Sequence, residues 1–246
     1  MNLLRETLTP PLCKCGCGLP CLWEKRKNIY PQYRRGHASR KWHYRQDIFK
    51  QIETPEDAYW LGFFYADGFV KTRGSFGFDL AIKDIEHLEK FQKYLKTDYP
   101  IVRRPGFCRL EVAGKHILPQ LEEWGLVQGK SKSLFVPYIN MQLKRHFIRG
   151  LFDGDGWITL GKNGKSSCYG FVGSIHLLND VRILLHEECD LSIVKFLHDK
   201  RCRADWCVSL VYGGTGNCRK FFTWAYTDSD LYLERKYEKW TTLFPN

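Results

Sequence analysis

Two acidic residues, Asp67 and Asp155, stand at matching places in a repeated segment. Trp60-Leu61-Gly62-Phe63-Phe64-Tyr65-Ala66-Asp67-Gly68 and Ile148-Arg149-Gly150-Leu151-Phe152-Asp153-Gly154-Asp155-Gly156 align without gaps. Both carry a small residue at the third and seventh positions, Asp at the eighth and Gly at the ninth. Each reads as a buried helix stopped by glycine. Gly62 and Ala66, like Gly150 and Gly154, share one helix face because residues i and i+4 do. Two stripes with almost no side chains can pack more closely than ordinary ridges and grooves allow. The last turns would then bring the two carboxylates together. There they repel each other and the negative ends of both helix dipoles, so the arrangement calls for a cation. Carboxylates with the end-of-helix carbonyls of Ala66 and Gly154 suit a hard divalent ion, Mg²⁺ or Mn²⁺. One Asp-Gly is only a helix stop; two copies with matched small residues make a site.

The paired segments resemble the signature of the LAGLIDADG homing endonucleases, in the single-chain form that carries two copies. The resemblance extends over roughly residues 54–244. It implies that the eighth-position acids, Asp67 and Asp155, bind the metal. The sixth position is Tyr65 in one copy and Asp153 in the other, which argues against a catalytic role for Asp153 by symmetry. The reaction implied is hydrolysis of one phosphodiester per DNA strand. Closely spaced metals would stabilise the attacking and leaving oxygens and help deprotonate water. The resemblance also implies minor-groove cleavage that leaves short 3′ overhangs. The family carries a basic residue near each scissile phosphate. Gly125-Leu126-Val127-Gln128-Gly129-Lys130-Ser131 and Leu233-Glu234-Arg235-Lys236-Tyr237 resemble its setting, which implies Lys130 and Lys236 as phosphate- or water-positioning residues.

The elements that must position these groups are legible in outline. Thr54-Pro55-Glu56-Asp57 reads as a helix start, with Thr54 as cap and Pro55 in the first turn. After the first motif, alternating residues over 69–71 and 76–83 flank Arg73-Gly74-Ser75 as a hairpin. Asp84 opens a helix to about Leu95. Strands over 101–103 and 108–112 flank Pro105-Gly106, and a helix follows from Lys115 to Trp124. The second half replays the order. Strands are expected near 157–160 and 170–174, a helix near 178–188, strands near 193–199 and 206–212, and helices over 218–225 and 231–240. This is an α+β chain of two αββαββα repeats, 46–135 and 136–246, behind a head over 1–45. In the family the two repeats are related by a pseudo-twofold axis, and each presents an antiparallel sheet to DNA.

Composition supports a polyanionic partner. The formal charge is +11 at pH 7, which favours nucleic acid over a membrane surface in the absence of a basic amphipathic helix. No apolar run reaches spanning length, and the start lacks a signal-peptide core, so a soluble intracellular protein is expected. Strand faces that meet DNA should alternate core and basic residues. Lys71, Arg73 and Lys83 do so around the first hairpin, and Arg103, Arg104 and Arg109 around the second. In the other half Lys162 and Lys165 match the first group; Lys195, Lys200, Arg201 and Arg203 match the second. Arg and Lys pair with guanine edges, and β-ribbons fit the major groove. The expected partner is double-stranded DNA with a long asymmetric site, bound by a monomer.

Four of the ten cysteines crowd into residues 13–21. Cys13-Lys14-Cys15-Gly16-Cys17, with His37 downstream, resembles a small structural zinc module. Cys13, Cys15, Cys17 and His37 are the expected ligands, with Cys21 as the substitute. Basic residues from Lys25 to Arg45 alternate with Trp23, Tyr30, Tyr33, Trp42 and Tyr44, a mixture suited to nucleic-acid backbone contact. The scattered Cys108, Cys168, Cys189, Cys202, Cys207 and Cys218 read as reduced, packed thiols. The rival function is a binding protein on the same scaffold, either an RNA-splicing maturase or a DNA-binding regulator; both motif acids are present, as cleavage requires. An intein is not expected, since the chain starts with Met1 and lacks a terminal His-Asn pair.

Overall fold

Thr54 starts the first motif helix with a reciprocal cap. Its hydroxyl accepts from the Asp57 N–H at 3.1 Å, and the Asp57 carboxylate accepts from the Thr54 N–H at 3.2 Å. The computed structural model describes residues 9–14, 19–36, 43–114, 117–162, 166–198 and 204–244. The expected site residues Cys15, Cys17, His37, Lys165, Lys200, Arg201 and Arg203 lie outside that set.

The motif helix α1 (Pro55–Asp67) runs straight into β1 (Gly68–Lys71) and β2 (Ser75–Ala81); α2 (Ile85–Tyr94), β3 (Val102–Arg104), β4 (Phe107–Ala113) and α3 (Leu118–Glu123) follow. These strands form an antiparallel sheet of order β1-β2-β4-β3. The second motif helix, α4 (Met141–Asp155), leads into β5 (Gly156–Thr159), β6 (Cys168–Ser174), α5 (Ile175–Cys189), β7 (Cys207–Gly213), α6 (Thr215–Tyr226) and α7 (Glu234–Leu243). Here the described strands make an antiparallel sheet of order β5-β6-β7. The architecture is mixed α+β, and one apolar core runs through both halves, from Trp60, Phe78 and Phe91 to Tyr169, Phe221 and Trp240.

Among its described residues, the strand expected near 193–199 is reduced to one antiparallel bridge, Leu197 with Ser209, closed by hydrogen bonds of 2.9 and 2.8 Å. Ile193 and Leu197 both face solvent, so little apolar burial rewards further pairing. The last helix starts at Glu234, three residues after the expected Leu231. Cys108, Cys168, Cys189 and Cys218 are free thiols, but Cys207 is disulfide-bonded, which corrects its reading as reduced. Among the described residues no helix is long and apolar enough to cross a membrane.

Each motif glycine at position nine needs a different explanation from the one its sequence suggests. Gly68 and Gly156 are extended, at φ −70° and −78°, so neither is a left-handed stop. A Cβ on Gly68 would fall 2.3 Å from the Phe64 ring, and one on Gly156 would fall 2.3 Å from the Phe152 ring. Glycine lets the chain turn from helix to strand beneath an aromatic ring.

Candidate active site

Helices α1 and α4 meet through their small residues, and the contact is reciprocal. A Cβ on Gly62 would lie 1.9 Å from the Phe147 carbonyl oxygen, and one on Gly150 would lie 2.0 Å from that of Tyr59. One turn further on, a Cβ on Gly154 would lie 2.3 Å from the Ala66 Cβ and 3.3 Å from Asp67 Oδ2. The backbones touch where the sequence has no side chains, so the carboxyls at the ends of the two helices share one neighbourhood.

Both acids keep a solvent-exposed edge, while the protein around them desolvates their carboxyls. Burial raises the Asp67 pKa, against the positive charges of Lys236, Lys130 and Arg235. The Asp155 pKa is pushed up to about 7, first by burial and then by the charge on Asp67, with Lys130 and Lys236 opposing. Such a pair resists double ionisation on its own, and a hard divalent cation relieves that strain. The donor set fits Mg²⁺ or Mn²⁺ in kind. Among the described residues no cluster of three or more His, Cys, Asp or Glu side chains could hold a metal. Carbonyl, water and phosphate oxygens would have to complete the shell.

The two expected lysines point inward, at the ends of the motif helices. Lys130 is 5% exposed and donates to the Gly68 carbonyl at 2.7 Å. Lys236 is 4% exposed and donates to the carbonyls of Phe152, Gly154 and Gly156 at 2.6, 2.9 and 2.5 Å. An ammonium among the last carbonyls of a helix complements its negative end. Burial lowers both pKa values, that of Lys236 to about 8, while the motif acids favour the charged forms. The Gly154 carbonyl expected to bind metal therefore already holds an ammonium hydrogen, which leaves it less available than predicted.

Asp153, fully buried, accepts the hydroxyls of Tyr59 (2.8 Å) and Tyr226 (2.6 Å) and the N–H of Leu233 (2.8 Å). It therefore fixes the loop that leads into α7 and Lys236. Tyr65, at the same motif position, donates instead to the Trp124 carbonyl at 2.6 Å, on the segment that leads to Lys130. Arg149 supports the same region by donating to the carbonyls of Leu231 (2.9 Å) and Ala225 (2.8 Å). Sequence reasoning missed Arg149 and the structural part played by Asp153. A charged residue inside an apolar motif was the available signal.

On the first sheet, Phe76, Phe78, Leu80, Cys108, Leu110 and Val112 face the core. The other face carries Lys71 and Arg109 with Asp79 and Glu111. Arg109 is held by Asp79 directly across the strands, and Lys71 donates to Glu111 at 2.6 Å. Arg103 pairs with Glu89 at 2.9 Å. Arg73, Lys83, Arg104, Lys162 and Lys195 are exposed. Of these described basic residues, Lys71, Arg103 and Arg109 already carry acidic partners, and Arg103 lies opposite Cys108, on the side of its strand that faces α2. In the head, Cys13 and Cys21 are buried together against Tyr33, and the Arg34 N–H donates to Cys13 Sγ at 3.3 Å. The described part of the head thus brings Cys21, not only Cys13, into its centre.

Residues 142–190, from the second motif helix through α5, match the model of the LAGLIDADG-like domain. No curated protein matches the sequence significantly. Among solved structures, the LAGLIDADG meganuclease I-CpaMI bound to uncleaved DNA is similar at 14% identity and a TM-score of 0.51, covering 78% of this chain and 90% of that one. The I-LtrWI LAGLIDADG homing endonuclease bound to target DNA gives 12% and 0.51, with 78% and 90% covered. The I-SmaMI LAGLIDADG homing endonuclease bound to cleaved DNA gives 12% and 0.51, with 78% and 88% covered. At these identities the likeness is one of fold.

Proposed function

We propose that this chain is a site-specific double-strand DNA endonuclease of the homing type, with one divalent-metal centre built on Asp67 and Asp155. The observation that carries the reading is the coupled carboxylate pair at the ends of two helices that touch backbone to backbone. A bound divalent ion would supply charge neutralisation at the scissile phosphates and a more acidic water. Asp67 and Asp155 would hold that ion. Lys130 and Lys236, anchored on the motif carbonyls, keep positive charge beside the carboxylates and the phosphates they would face. The outward face of the first sheet, with Lys71, Arg104 and Arg109, lies along the duplex, flanked by Arg73 and Lys83 in the adjoining turns and by Arg103 at the edge strand; Lys162, Lys165, Lys195, Lys200, Arg201 and Arg203 serve the second half. Two unlike halves suit a long asymmetric site bound by a monomer.

The test is Mg²⁺-dependent cleavage of a randomised duplex library by the intact protein, Asp67→Asn and Asp155→Asn. Specific double-strand cuts, lost in both variants and silenced by EDTA, uphold the reading. Tight binding with no cut, unchanged by either substitution, replaces it with the binding-protein alternative.

The head is best read as a zinc module in which Cys13 and Cys21 are two of the thiolate ligands. The burial of both sulfurs, with a main-chain N–H donated to one of them, supports that reading. Native mass spectrometry should find one zinc per chain, lost in Cys13→Ser and Cys21→Ser; metal-free wild type would end the idea.

A further inference from the structure

Arg235 precedes Lys236 on α7, but its guanidinium is held by the other half of the molecule. Nε donates to both carboxylate oxygens of Asp84, at 2.8 and 3.0 Å. Asp84 stands at the N-cap position of α2 yet makes no capping bond there. Its carboxylate is buried, 7% exposed, and is committed to Arg235. The same turn of α7 is clamped a second time, by Lys90 to Glu234 and to the Tyr232 carbonyl.

That grip uses only the Nε edge. Both terminal Nη groups make no hydrogen bond among the described residues, and the side chain is 41% exposed. A guanidinium fixed through Nε and open through two parallel N–H donors is shaped for a phosphate. It adjoins Lys236, whose ammonium binds the carbonyls at the end of the second motif helix.

Among the described residues the opposite half has no such device. Lys130 is preceded by Gly129, at φ +77°. Ser174, at the N-cap of α5 where Asp84 stands at that of α2, caps its own helix by accepting from the Leu177 N–H at 3.3 Å. We propose that Arg235, aimed by Asp84, is a phosphate-positioning residue for one DNA strand only, so that the two cleavage events are unequal. This rests on the endonuclease reading above.

The probe is a duplex recovered by binding from a randomised library, placed in a supercoiled plasmid with each strand followed separately. Arg235→Gln should slow one strand by about 10-fold or more and leave the other nearly unchanged, so nicked plasmid accumulates. Asp84→Asn should give the same strand bias in weaker form, and Arg235→Lys should restore part of the rate. Equal slowing of both strands, or of neither, overturns the proposal; a staple between the halves would slow both and lower the thermal midpoint. If wild type binds this duplex without cutting, the endonuclease reading fails separately. The salt dependence of binding then decides the contact: a log–log slope lowered by about one in Arg235→Gln upholds it, and an unchanged slope overturns it.

Discussion

Lys236 donates its ammonium to the carbonyl of Gly154, one residue before Asp155. The same nitrogen reaches Phe152 and Gly156, so a single side chain ties α7 to the end of the second motif helix and sets a charge beside the acid. Lys236→Met should leave three carbonyl oxygens without this donor and lower stability by about 2–4 kcal/mol, read from urea unfolding at neutral pH. The loss should grow in alkali. The folded pKa of about 8 lies below the ordinary lysine value of about 10.4, so between them the unfolded state binds more protons. Wild-type stability from this residue therefore rises with pH across that window.

The Asp67–Asp155 pair predicts a pH-dependent response to metal. The folded pKa of Asp155, about 7, lies above its ordinary value of about 3.9. Its contribution to stability is complete at low pH and is lost as pH rises through about 7, where both carboxylates ionise and repel. Mg²⁺ should raise the thermal midpoint more at pH 8 than at pH 6, because binding needs the ionised pair. Asp67→Asn should remove most of that difference, and an equal Mg²⁺ effect at both pH values would contradict it.

Close contact of the motif helices predicts steric intolerance at both central glycines. Gly62→Ala and Gly150→Ala would each place a methyl within about 2 Å of a main-chain oxygen, which cannot rotate away. Each should cost about 3 kcal/mol or more, with the pair of helices forced apart and Mg²⁺-dependent stabilisation lost as well. Gly213→Ala, with open space around it, is the control and should leave the midpoint nearly unchanged.

The paired cations on the first sheet predict a gain from removing an acid. Glu111 accepts from Lys71 and from Ser75, each at 2.6 Å, and lies 3.6 Å from Arg109. Glu111→Gln should free positive charge on the face proposed to meet DNA. Affinity for a duplex at low salt should rise by about 10-fold, with a steeper salt dependence. No change would place this face away from the nucleic acid.

Local features that depend on neighbours along the chain were legible from the residues alone. The repeated small residues, the Thr54 cap and the alternation after each motif were all readable, because helix faces and strand faces follow fixed periods. The same repeat marks Asp67 and Asp155. How groups distant along the chain meet depends on the folded packing. Lys130 and Lys236 turn inward onto motif carbonyls, since an ammonium this buried must find oxygen partners. Asp153 gathers Tyr59, Tyr226 and Leu233 for the same reason. Arg235 crosses to Asp84, a partner that no periodicity could identify. Position nine shows the boundary most clearly: glycine was legible at Gly68 and Gly156, but its reason was a ring, Phe64 or Phe152, lying over an extended backbone.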